Sequence, residues 1–476
     1  MKRFARKTKI IATLGPASSS PAMIEKLISA GVDIFRLNFS HGSQEEKARL
    51  IEIIRKVSGK SGRPTGILAD LQGPKIRTGC MKNGALQLLK GDKLDITTDE
   101  VLGKPGLIST IYKELPNDVK PGSRILLDDG LIELKVLSVA KNRVTCSVLA
   151  GGVLKDLKGI NLPGIPVSAP SLTVKDRRDL EFCLKHDLDF IALSFVRQES
   201  DVQELKQIIA AHGKTTPVVA KIEKPEALRK FSSILQAADA IMVARGDLGV
   251  EIRPEKVPLI QKKIIRACNE AGKPVITATQ MLESMITHPR PTRAETSDVA
   301  NAILDGTDAV MLSGETASGS FPAQAVSLMA KVAMDVETAE LKRLPIPFVK
   351  HSLDISEAVA EAACQAAAIL RAKAIVVFTQ SGSTATLISK FRPQLPIIAF
   401  TPSPEIQRRL SIYWGVKTRT VGSTKDTDQQ IAAVEKTLLA TGFKKGDVVV
   451  ITMGVPLETR GSTNLIKVHK LGEGIL

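Results

Sequence analysis

The sequence has few aromatic residues and no long apolar run. Aromatic side chains make up 3% of the 476 residues, which leaves few flat surfaces on which nucleic-acid bases could stack. A membrane-spanning helix needs about 20 consecutive apolar residues, and no stretch approaches that length. The basic start, Met1 to Lys7, leads into a strand-like run and not into the apolar core of a signal peptide. We therefore expect a cytoplasmic protein that binds neither membranes nor nucleic acids.

Cysteine is also scarce. The chain has five, and each stands alone: Cys80, Cys146, Cys183, Cys268 and Cys364. They have neither the CxxC spacing of a zinc site nor the density of a small disulfide-stabilised domain. We expect all five thiols to be reduced and to have structural roles.

What the sequence does have is length, apolar residues and positive charge. At 476 residues, of which 43% are hydrophobic, the chain is too long for a single core and predicts two or three domains. The formal net charge is +16, and the basic residues are spread along the chain. A positive field of this kind attracts small anionic metabolites.

Eight short apolar runs alternate with amphipathic helical stretches. The runs are Lys9 to Leu14, Asp33 to Leu37, Thr65 to Ala69, Asp189 to Leu193, Pro217 to Ala220, Ala240 to Val243, Pro274 to Thr277 and Ala309 to Leu312. Continuous apolar strands separated by helices are typical of a parallel sheet covered on both faces. Eight such units predict an α/β fold with a closed (β/α)8 barrel.

The third unit of this barrel contains an insertion without helices. From residue 71 to residue 166 the pattern changes to short strands, and Asp129-Gly130 suits a tight hairpin. Later, Leu344 to Pro347 predicts a stiff linker before a new α/β alternation. The strands of that last region are expected at Ala374 to Phe378, Pro396 to Phe400 and Asp447 to Met453. The predicted domains are a barrel at 1–70 and 167–344, an inserted β domain at 71–166 and a carboxyl-terminal α/β domain at 345–476.

Active sites of β/α barrels lie at the carboxyl ends of the strands, where this sequence places many polar residues. They are Arg36, Asp70, Lys221, Glu223, Arg245, Asp247, Thr279, Gln280, Ser313 and Glu315. Glu223 and Asp247 offer oxygen ligands of the kind that hold Mg²⁺ together with substrate oxygens and water. Lys221 and Arg36 add positive charge beside them. This combination suits phosphoryl transfer, in which the protein positions groups and neutralises charge.

Each of these residues also has a structural interpretation. Arg36 and Asp247 could simply pair with each other, Lys221 could be solvated, and Thr279 could only finish a strand. Their arrival at successive strand ends favours an active site. Two other functions stay open from the residues alone: a magnesium-dependent barrel lyase that acts on a 2-oxo acid or enolate, and a catalytically dead metabolite sensor.

Long motifs at these positions resemble the signatures of the pyruvate kinase family. They are Thr13-Leu-Gly-Pro-Ala-Ser, Arg36-Leu-Asn-Phe-Ser-His-Gly, Lys221-Ile-Glu, Met242-Val-Ala-Arg-Gly-Asp-Leu-Gly-Val-Glu, Ala278-Thr-Gln-Met-Leu-Glu-Ser-Met, Pro289-Arg-Pro-Thr-Arg-Ala-Glu and Met311-Leu-Ser-Gly-Glu-Thr-Ala. The resemblance covers essentially the whole chain. It implies a glycolytic phosphotransferase that moves the phosphoryl group of phosphoenolpyruvate to ADP, forming pyruvate and ATP, with Mg²⁺ or Mn²⁺ as cofactor.

The resemblance implies roles for five residues of the predicted active site. Glu223 and Asp247 would hold the divalent metal, and Lys221 would stabilise the phosphoryl group in transit. Arg36 would grip the phosphate. Thr279 would lie near the path that protonates the enolate.

Further contacts with both substrates follow from the same resemblance. Backbone N–H groups of Gly246 and Asp247, where a helix should begin, would bind the substrate carboxylate. His41, Arg77 and Lys158 are similar to the family's contacts with the nucleotide. The inserted domain is similar to the family's mobile lid, with hinges expected near Gly73-Pro74 and Pro166, and its closure would exclude water.

One position departs from the common family pattern. Many members bind potassium through residues that match Asn38, Ser40 and Asp70, with a glutamate five residues beyond the aspartate, where this sequence has Lys75. It therefore resembles the potassium-independent bacterial type that has lysine there. We hypothesise that the Lys75 ammonium replaces the ion and that potassium is not required. In the alternative, Lys75 points to solvent and the other three residues still bind an ion.

A hydroxyl-rich loop follows the first predicted strand of the carboxyl-terminal domain. By the resemblance, Thr379, Ser381, Ser383 and Thr384 match a loop that binds the phosphate of a regulatory sugar phosphate or of AMP, covered by a loop at Arg460 to Asn464. The resemblance also implies a homotetramer with allosteric control. An ordinary strand–turn–helix junction is the alternative.

Overall fold

The computed structural model describes residues 6–340, 354–422, 426–455 and 462–473. The predicted linker at Leu344 to Pro347 lies outside these ranges. Within them, no helix has the length and apolar character needed to cross a membrane.

The chain begins with the first part of a barrel. Its elements are β1 (Lys9–Thr13), α1 (Pro21–Ala30), β2 (Ile34–Asn38), α2 (Gln44–Ser61) and β3 (Gly66–Asp70). Helix α2 starts at a capping box in which the Ser43 hydroxyl accepts from the Glu46 N–H and the Glu46 carboxylate accepts from the Ser43 N–H. It ends at Gly62, whose φ of 60° is left-handed and suits glycine. Local sequence thus sets both ends of this helix.

A strand-rich insertion follows β3. Its elements are β4 (Ala85–Leu88), β5 (Lys93–Thr97), β6 (Leu107–Ser109), α3 (Leu115–Asp118), β7 (Arg124–Leu127), β8 (Ile132–Ala140), β9 (Arg143–Ala150), β10 (Gly152–Lys155) and β11 (Ile160–Asn161). Six of the strands form a sheet in the order β11-β7-β8-β9-β5-β6, and β10 pairs with β4. The hairpin between β7 and β8 turns at Asp129-Gly130, as the sequence predicts. We call this unit the lid; it has its own core around Leu94, Ile125 and Val144.

The chain then returns to the barrel. The elements are α4 (Val174–Lys185), β12 (Phe190–Leu193), α5 (Glu199–Ala211), β13 (Val218–Ile222), α6 (Pro225–Arg229), α7 (Phe231–Ala237), β14 (Ala240–Ala244), α8 (Arg245–Glu251), α9 (Val257–Ala271), β15 (Val275–Ala278), α10 (Arg293–Leu304), β16 (Ala309–Leu312), α11 (Gly314–Ala317) and α12 (Pro322–Glu340), with 3₁₀ turns at Pro254–Lys256 and Glu283–Ile286. Eight parallel strands close in the order β1-β16-β15-β14-β13-β12-β3-β2. The predicted fold class is confirmed, and each predicted barrel strand lies within two residues of an observed one.

The last region is a separate α/β unit. Its elements are α13 (Ile355–Ile369), β17 (Ala374–Phe378), α14 (Ser383–Lys390), β18 (Ile397–Thr401), α15 (Pro404–Arg409), a 3₁₀ turn at Leu410–Ile412, β19 (Val416–Thr420), α16 (Thr427–Ala440), β20 (Val448–Met453) and β21 (Leu465–Lys470). The sheet order is β19-β18-β17-β20-β21, and only β21 is antiparallel. The sequence predicted β17, β18 and β20 and missed the other two.

This α/β unit covers the amino-terminal end of the barrel. Arg392 pairs with Asp308, just before β16, at 2.8 Å, and Arg408 Nε lies 2.7 Å from an oxygen of Asp189, just before β12. Ile412 packs into the barrel's inner core. The lid begins after β3, at the opposite end of the barrel. The carboxyl ends of the barrel strands therefore lie where the barrel and the lid meet. The exact domain boundaries stay predictions.

Candidate active site

A buried ion network joins the carboxyl ends of three barrel strands. Arg36 on β2 places Nε 2.7 Å from Asp70 Oδ2, at the end of β3. Lys221 on β13 places Nζ 3.1 Å from the other oxygen of Asp70 and 2.9 Å from Glu223 Oε1. Arg36 also donates to the hydroxyl of Thr13 at 3.0 Å. Two of the structural interpretations are therefore wrong. Arg36 pairs with Asp70 and not with Asp247, and Lys221 is buried and not solvated.

The network fixes the charges of its members. Burial acts to raise the pKa of Asp70, but Lys221 and Arg36 outweigh it and hold that pKa below its usual value. Burial acts to lower the pKa of Lys221, but Asp70 and Glu223 outweigh it and the pKa is raised. Lys221 is therefore an ammonium ion, and Asp70 a carboxylate, throughout the neutral range.

Asp247 is close enough to Glu223 to affect its pKa. Burial raises the pKa of Glu223, Lys221 opposes that change, Asp247 adds to it, and the net shift is upward. A cation between the two carboxylates would relieve this repulsion. No group of three or more histidine, cysteine or acidic side chains suited to a metal occurs in the described part of the chain. Two carboxylates nevertheless fit Mg²⁺, which takes its remaining oxygens from substrate and water.

Thr279 and Gly246 are joined by a hydrogen bond. The Gly246 N–H donates to Thr279 Oγ1 at 2.8 Å, and that hydroxyl donates to the Ala278 carbonyl at 2.6 Å. Thr279 has a φ of 67°, which is uncommon for a β-branched residue. Arg245 Nη2 donates to the Thr279 carbonyl at 2.8 Å. As predicted from the sequence, a helix (α8) begins here, but the Gly246 donor that was assigned to a substrate carboxylate already has a protein acceptor.

Ser194, which sequence reasoning missed, is part of the ion network. Its Oγ accepts a hydrogen bond from Lys221 Nζ at 2.7 Å and donates to the Leu71 carbonyl at 2.7 Å. Ser194 directly follows β12, a barrel strand from whose carboxyl end the sequence provided no candidate. The signal that could have found it is its place, one residue after a predicted barrel strand.

The three predicted nucleotide contacts lie around the lid's attachment. His41 is exposed, and its pKa is lowered by partial burial and by the nearby charges of Arg77 and Lys75. Arg77 Nη1 donates to the Leu157 carbonyl at 2.8 Å. Lys158 pairs with Asp128 within the lid at 2.8 Å. The structure thus brings His41 and Arg77 into electrostatic range of each other and leaves Lys158 with an acidic partner.

The residues assigned to the potassium position have different contacts. Asn38 Oδ1 accepts from the Ser40 N–H at 3.0 Å, and Asp70 is engaged by the ion network. Lys75 lines a cleft between lid and barrel, whose wall includes Asp247. Among the residues that the structure describes, its ammonium group has neither an ion pair nor a hydrogen bond.

The predicted effector loop has a compact hydroxyl network. Thr379 Oγ1 accepts from the Gly382 N–H at 2.8 Å, and the hydroxyls of Ser381 and Ser383 are 3.1 Å apart. The hydroxyls of Thr384 and Thr463 form a hydrogen bond of 2.8 Å. The predicted covering loop at Arg460 to Asn464 lies partly outside the described residues.

The chain is similar to known proteins over nearly its whole length. Residues 5–326 match the family model "Pyruvate kinase, barrel domain", and residues 357–469 match "Pyruvate kinase, alpha/beta domain". The pyruvate kinases of Staphylococcus aureus strains USA300 and bovine RF122 are each 50% identical over 475 residues, which cover 99% of this chain and 81% of the relative. A crystal structure of a pyruvate kinase from Cryptosporidium parvum has a TM-score of 0.92 and 41% identity, covering 98% of this chain and 96% of that one.

Proposed function

The chain belongs to the pyruvate kinase family, and from that membership we propose how its own residues bind the substrates and transfer the phosphoryl group. The activity is that of a phosphotransferase acting on phosphoenolpyruvate and ADP. One observation carries the assignment of residues: the buried network of Arg36, Asp70, Lys221 and Glu223 at the carboxyl ends of neighbouring strands.

Arg36 binds the phosphate of phosphoenolpyruvate in this proposal. Its Nε is held by Asp70 and its Nη1 by Thr13, so the guanidinium plane is fixed before the substrate arrives. A fixed guanidinium matches phosphate oxygens in geometry as well as in charge. The orientation therefore costs little conformational entropy on binding.

Lys221 stabilises the phosphoryl group as it moves from the enol oxygen to the terminal phosphate oxygen of ADP. The transfer spreads negative charge over the phosphoryl oxygens, and a fixed cation in a site without bulk water stabilises that charge strongly. Asp70 and Glu223 keep the ammonium protonated. Ser194 orients it with the hydrogen bond from Nζ to Oγ.

Glu223 and Asp247 would hold the divalent cation, Mg²⁺ or Mn²⁺. When bound, such an ion neutralises charge on substrate oxygens. The Phe195 N–H donates to Glu223 Oε2 at 2.7 Å and so restrains the carboxylate. Burial and the nearby charge of Asp247 raise the pKa of Glu223, and this supports a bound cation, because a cation favours the ionised form of that carboxylate.

Thr279 lies where the enolate of pyruvate would take up its proton. Its hydroxyl now accepts from Gly246 and donates to Ala278. A substrate carboxylate that takes the Gly246 and Asp247 N–H groups would remove the donor from Thr279, whose oxygen could then bind the water or acid that supplies the proton. Arg245 holds the backbone of this loop in place.

The lid would exclude water while the phosphoryl group is in transit, and the nucleotide would lie against His41, Arg77 and Lys158. The cleft between lid and barrel is lined by Lys75, Asp129 and Asp247 from the two sides. Water in such a cleft would compete with ADP for the phosphoryl group.

Lys75 would make a potassium ion unnecessary. Lys75 lines the same cleft as Asp247, and its ammonium group has no acidic partner within the described ranges. An unpaired ammonium at this place can supply the positive charge that potassium provides beside Asn38, Ser40 and Asp70 in other family members.

The hydroxyl network of the loop from Thr379 to Thr384 would bind the phosphate of a sugar phosphate or of AMP. Binding there would favour the active form of a homotetramer.

The substrates and products of this reaction are small dissolved metabolites of glycolysis. We therefore expect the protein to act in the cytoplasm.

The assignment is tested by measuring pyruvate release from phosphoenolpyruvate with and without ADP, in the presence of Mg²⁺. We expect release that requires ADP and yields one ATP for each pyruvate. Release without ADP would support a lyase or a phosphatase, and binding of phosphoenolpyruvate without any release would support a sensor. Either of these two results would contradict the proposal.

A further inference from the structure

An ion pair connects the two elements that carry the proposed metal ligands. Lys224 Nζ lies 2.6 Å from Glu251 Oε1. Lys224 directly follows Glu223, and Glu251 lies in α8 one turn after Asp247. The pair therefore ties the end of β13 to α8 and restrains the separation of the two metal-binding carboxylates.

A lid residue contacts the same ion pair. Asn161 Nδ2, on β11, donates to Glu251 Oε1 at 3.0 Å. The Glu251 side chain is 1% exposed and that of Lys224 12% exposed, so the pair is shielded from water and its geometry matters. The second oxygen, Glu251 Oε2, is buried and has no hydrogen-bond partner among the described residues. One carboxylate oxygen thus receives both a barrel contact and a lid contact.

Lys224 also lies against the residue that restrains Glu223. Its Nζ is 5.6 Å from the centre of the Phe195 ring, and the Phe195 N–H donates to Glu223 Oε2. Gly73, at the predicted hinge of the lid, packs so closely on Phe195 that a Cβ there would lie 2.8 Å from the ring. The hinge, the lid contact and the metal ligand therefore share one packed group.

We propose that Glu251 is a positioning residue through which closure of the lid fixes the two metal ligands. With the lid closed, Asn161 and Lys224 together hold Glu251, and Glu251 holds α8 against the end of β13. With the lid open, Asn161 withdraws and water reaches both Glu251 oxygens, which loosens the ion pair. The solvation of Oε2 on opening favours release of the lid, so that closure stays reversible. The inference rests on the proposed assignment of Glu223 and Asp247.

The test is the dissociation constant of Mn²⁺, measured by titration calorimetry with phosphoenolpyruvate present and ADP absent, so that no turnover occurs. Glu251→Gln keeps the shape of the side chain and removes its charge, and we expect Mn²⁺ to bind about tenfold more weakly. Asn161→Ala removes only the lid contact, and we expect a weakening of about threefold with an unchanged thermal midpoint. A purely structural role would lower the midpoint and not the affinity.

Two matched controls and one reference accompany these variants. Asn142→Ala removes an exposed asparagine elsewhere in the lid, and Glu270→Gln breaks an exposed ion pair with Arg266; both should bind Mn²⁺ as the wild type does. Glu223→Gln is the reference for the metal site. If it leaves Mn²⁺ affinity unchanged, the metal assignment itself is wrong.

The proposed coupling between the lid and the metal ligands is overturned if Glu223→Gln weakens Mn²⁺ binding while the Mn²⁺ dissociation constant of Asn161→Ala stays within about twofold of the wild-type value. It is also overturned if Asn161→Ala weakens binding and Glu251→Gln does not, because the lid would then act by another route. Should Glu251→Gln fail to fold, Glu251→Asp, which withdraws the carboxylate from Lys224 by one carbon, provides the same comparison.

Discussion

Lys221 Nζ donates to Ser194 Oγ at 2.7 Å, and the Ser194 hydroxyl donates in turn to the Leu71 carbonyl. Ser194 thus joins the ammonium group to which we assign stabilisation of the phosphoryl group to the backbone at the start of the lid connection. Lys221 is held from three directions, by Ser194, Asp70 and Glu223. The ammonium is oriented before any substrate binds, which is the arrangement that electrostatic catalysis needs.

Ser194→Ala should lower kcat more than it changes KM for phosphoenolpyruvate. A hydrogen bond to a charged group contributes about 1.5–3 kcal/mol, so we expect kcat to fall roughly tenfold or more. Steady-state kinetics measure both constants. Ser138→Ala, at an exposed position of the lid, is the control. An unchanged kcat would mean that Asp70 and Glu223 orient Lys221 without help.

The buried Lys7 should make the stability of the folded protein depend on pH. Its side chain is buried between barrel and α/β unit, with Nζ donating to the Pro393 carbonyl at 2.7 Å. Burial is the main cause that lowers its pKa to about 7, against the charge of Glu337, and Arg392 lowers it further. Above pH 7 the folded protein therefore binds fewer protons here than the unfolded chain, whose lysine stays charged to about pH 10.4.

The sign follows from that difference: stability rises with pH from about 7 to about 10, by up to about 1.4 kcal/mol per pH unit for this group. Lys7→Met removes the titrating group. We expect the thermal midpoint to rise less between pH 7.5 and pH 9 in this variant than in the wild type. Equal changes of midpoint in both proteins would show that Lys7 keeps an ordinary pKa.

Lys75→Glu should make activity depend on potassium. The wild type should turn over in buffer without potassium or ammonium, because we propose that Lys75 supplies the charge. The variant should lose most of that activity and regain it when potassium is added, since a carboxylate at this place can bind the ion. Lys82→Glu, an exposed lysine of the lid, is the control. A variant that stays independent of potassium would contradict the role given to Lys75.

Ser383→Asp should abolish activation by a phosphorylated effector. A carboxylate in the hydroxyl loop would repel a phosphate that the wild type binds. We expect the wild type to lower its KM for phosphoenolpyruvate when AMP or a sugar phosphate is added, and the variant to show one KM throughout. A flat response of the wild type to both kinds of effector would remove the basis for this site.

Much of the fold was readable from the sequence, because barrel strands covered on both faces are continuous apolar runs. The two missed strands have a different character: β19 alternates the buried Val416 and Thr418 with Lys417 and Arg419, and β21 is a partly exposed edge strand that carries Lys467 and Lys470. Neither gives the apolar signal of a buried strand. They are strands because the sheet beside them offers hydrogen-bond partners.

The candidate site was predictable in composition and less so in its pairings. Strand-end placement and family motifs gave Arg36, Lys221 and Glu223, yet no motif shows that Asp70 bridges Arg36 and Lys221, since that depends on the barrel's closure and register. Ser194 was missed because its only signal is its place directly after a predicted barrel strand, and a single serine there does not show what it contacts. Its role depends on contacts with residues distant in the chain.

The central claim is that Lys221 carries the transfer of the phosphoryl group from phosphoenolpyruvate to ADP. The most direct measurement compares ATP and pyruvate formation by the wild type, Lys221→Met and the control Lys185→Met, an exposed lysine at the end of α4. We predict one ATP per pyruvate for the wild type and the control, and a loss of about 100-fold or more in kcat for Lys221→Met with the protein still folded. A folded Lys221→Met variant that keeps kcat near the wild-type value would contradict the account.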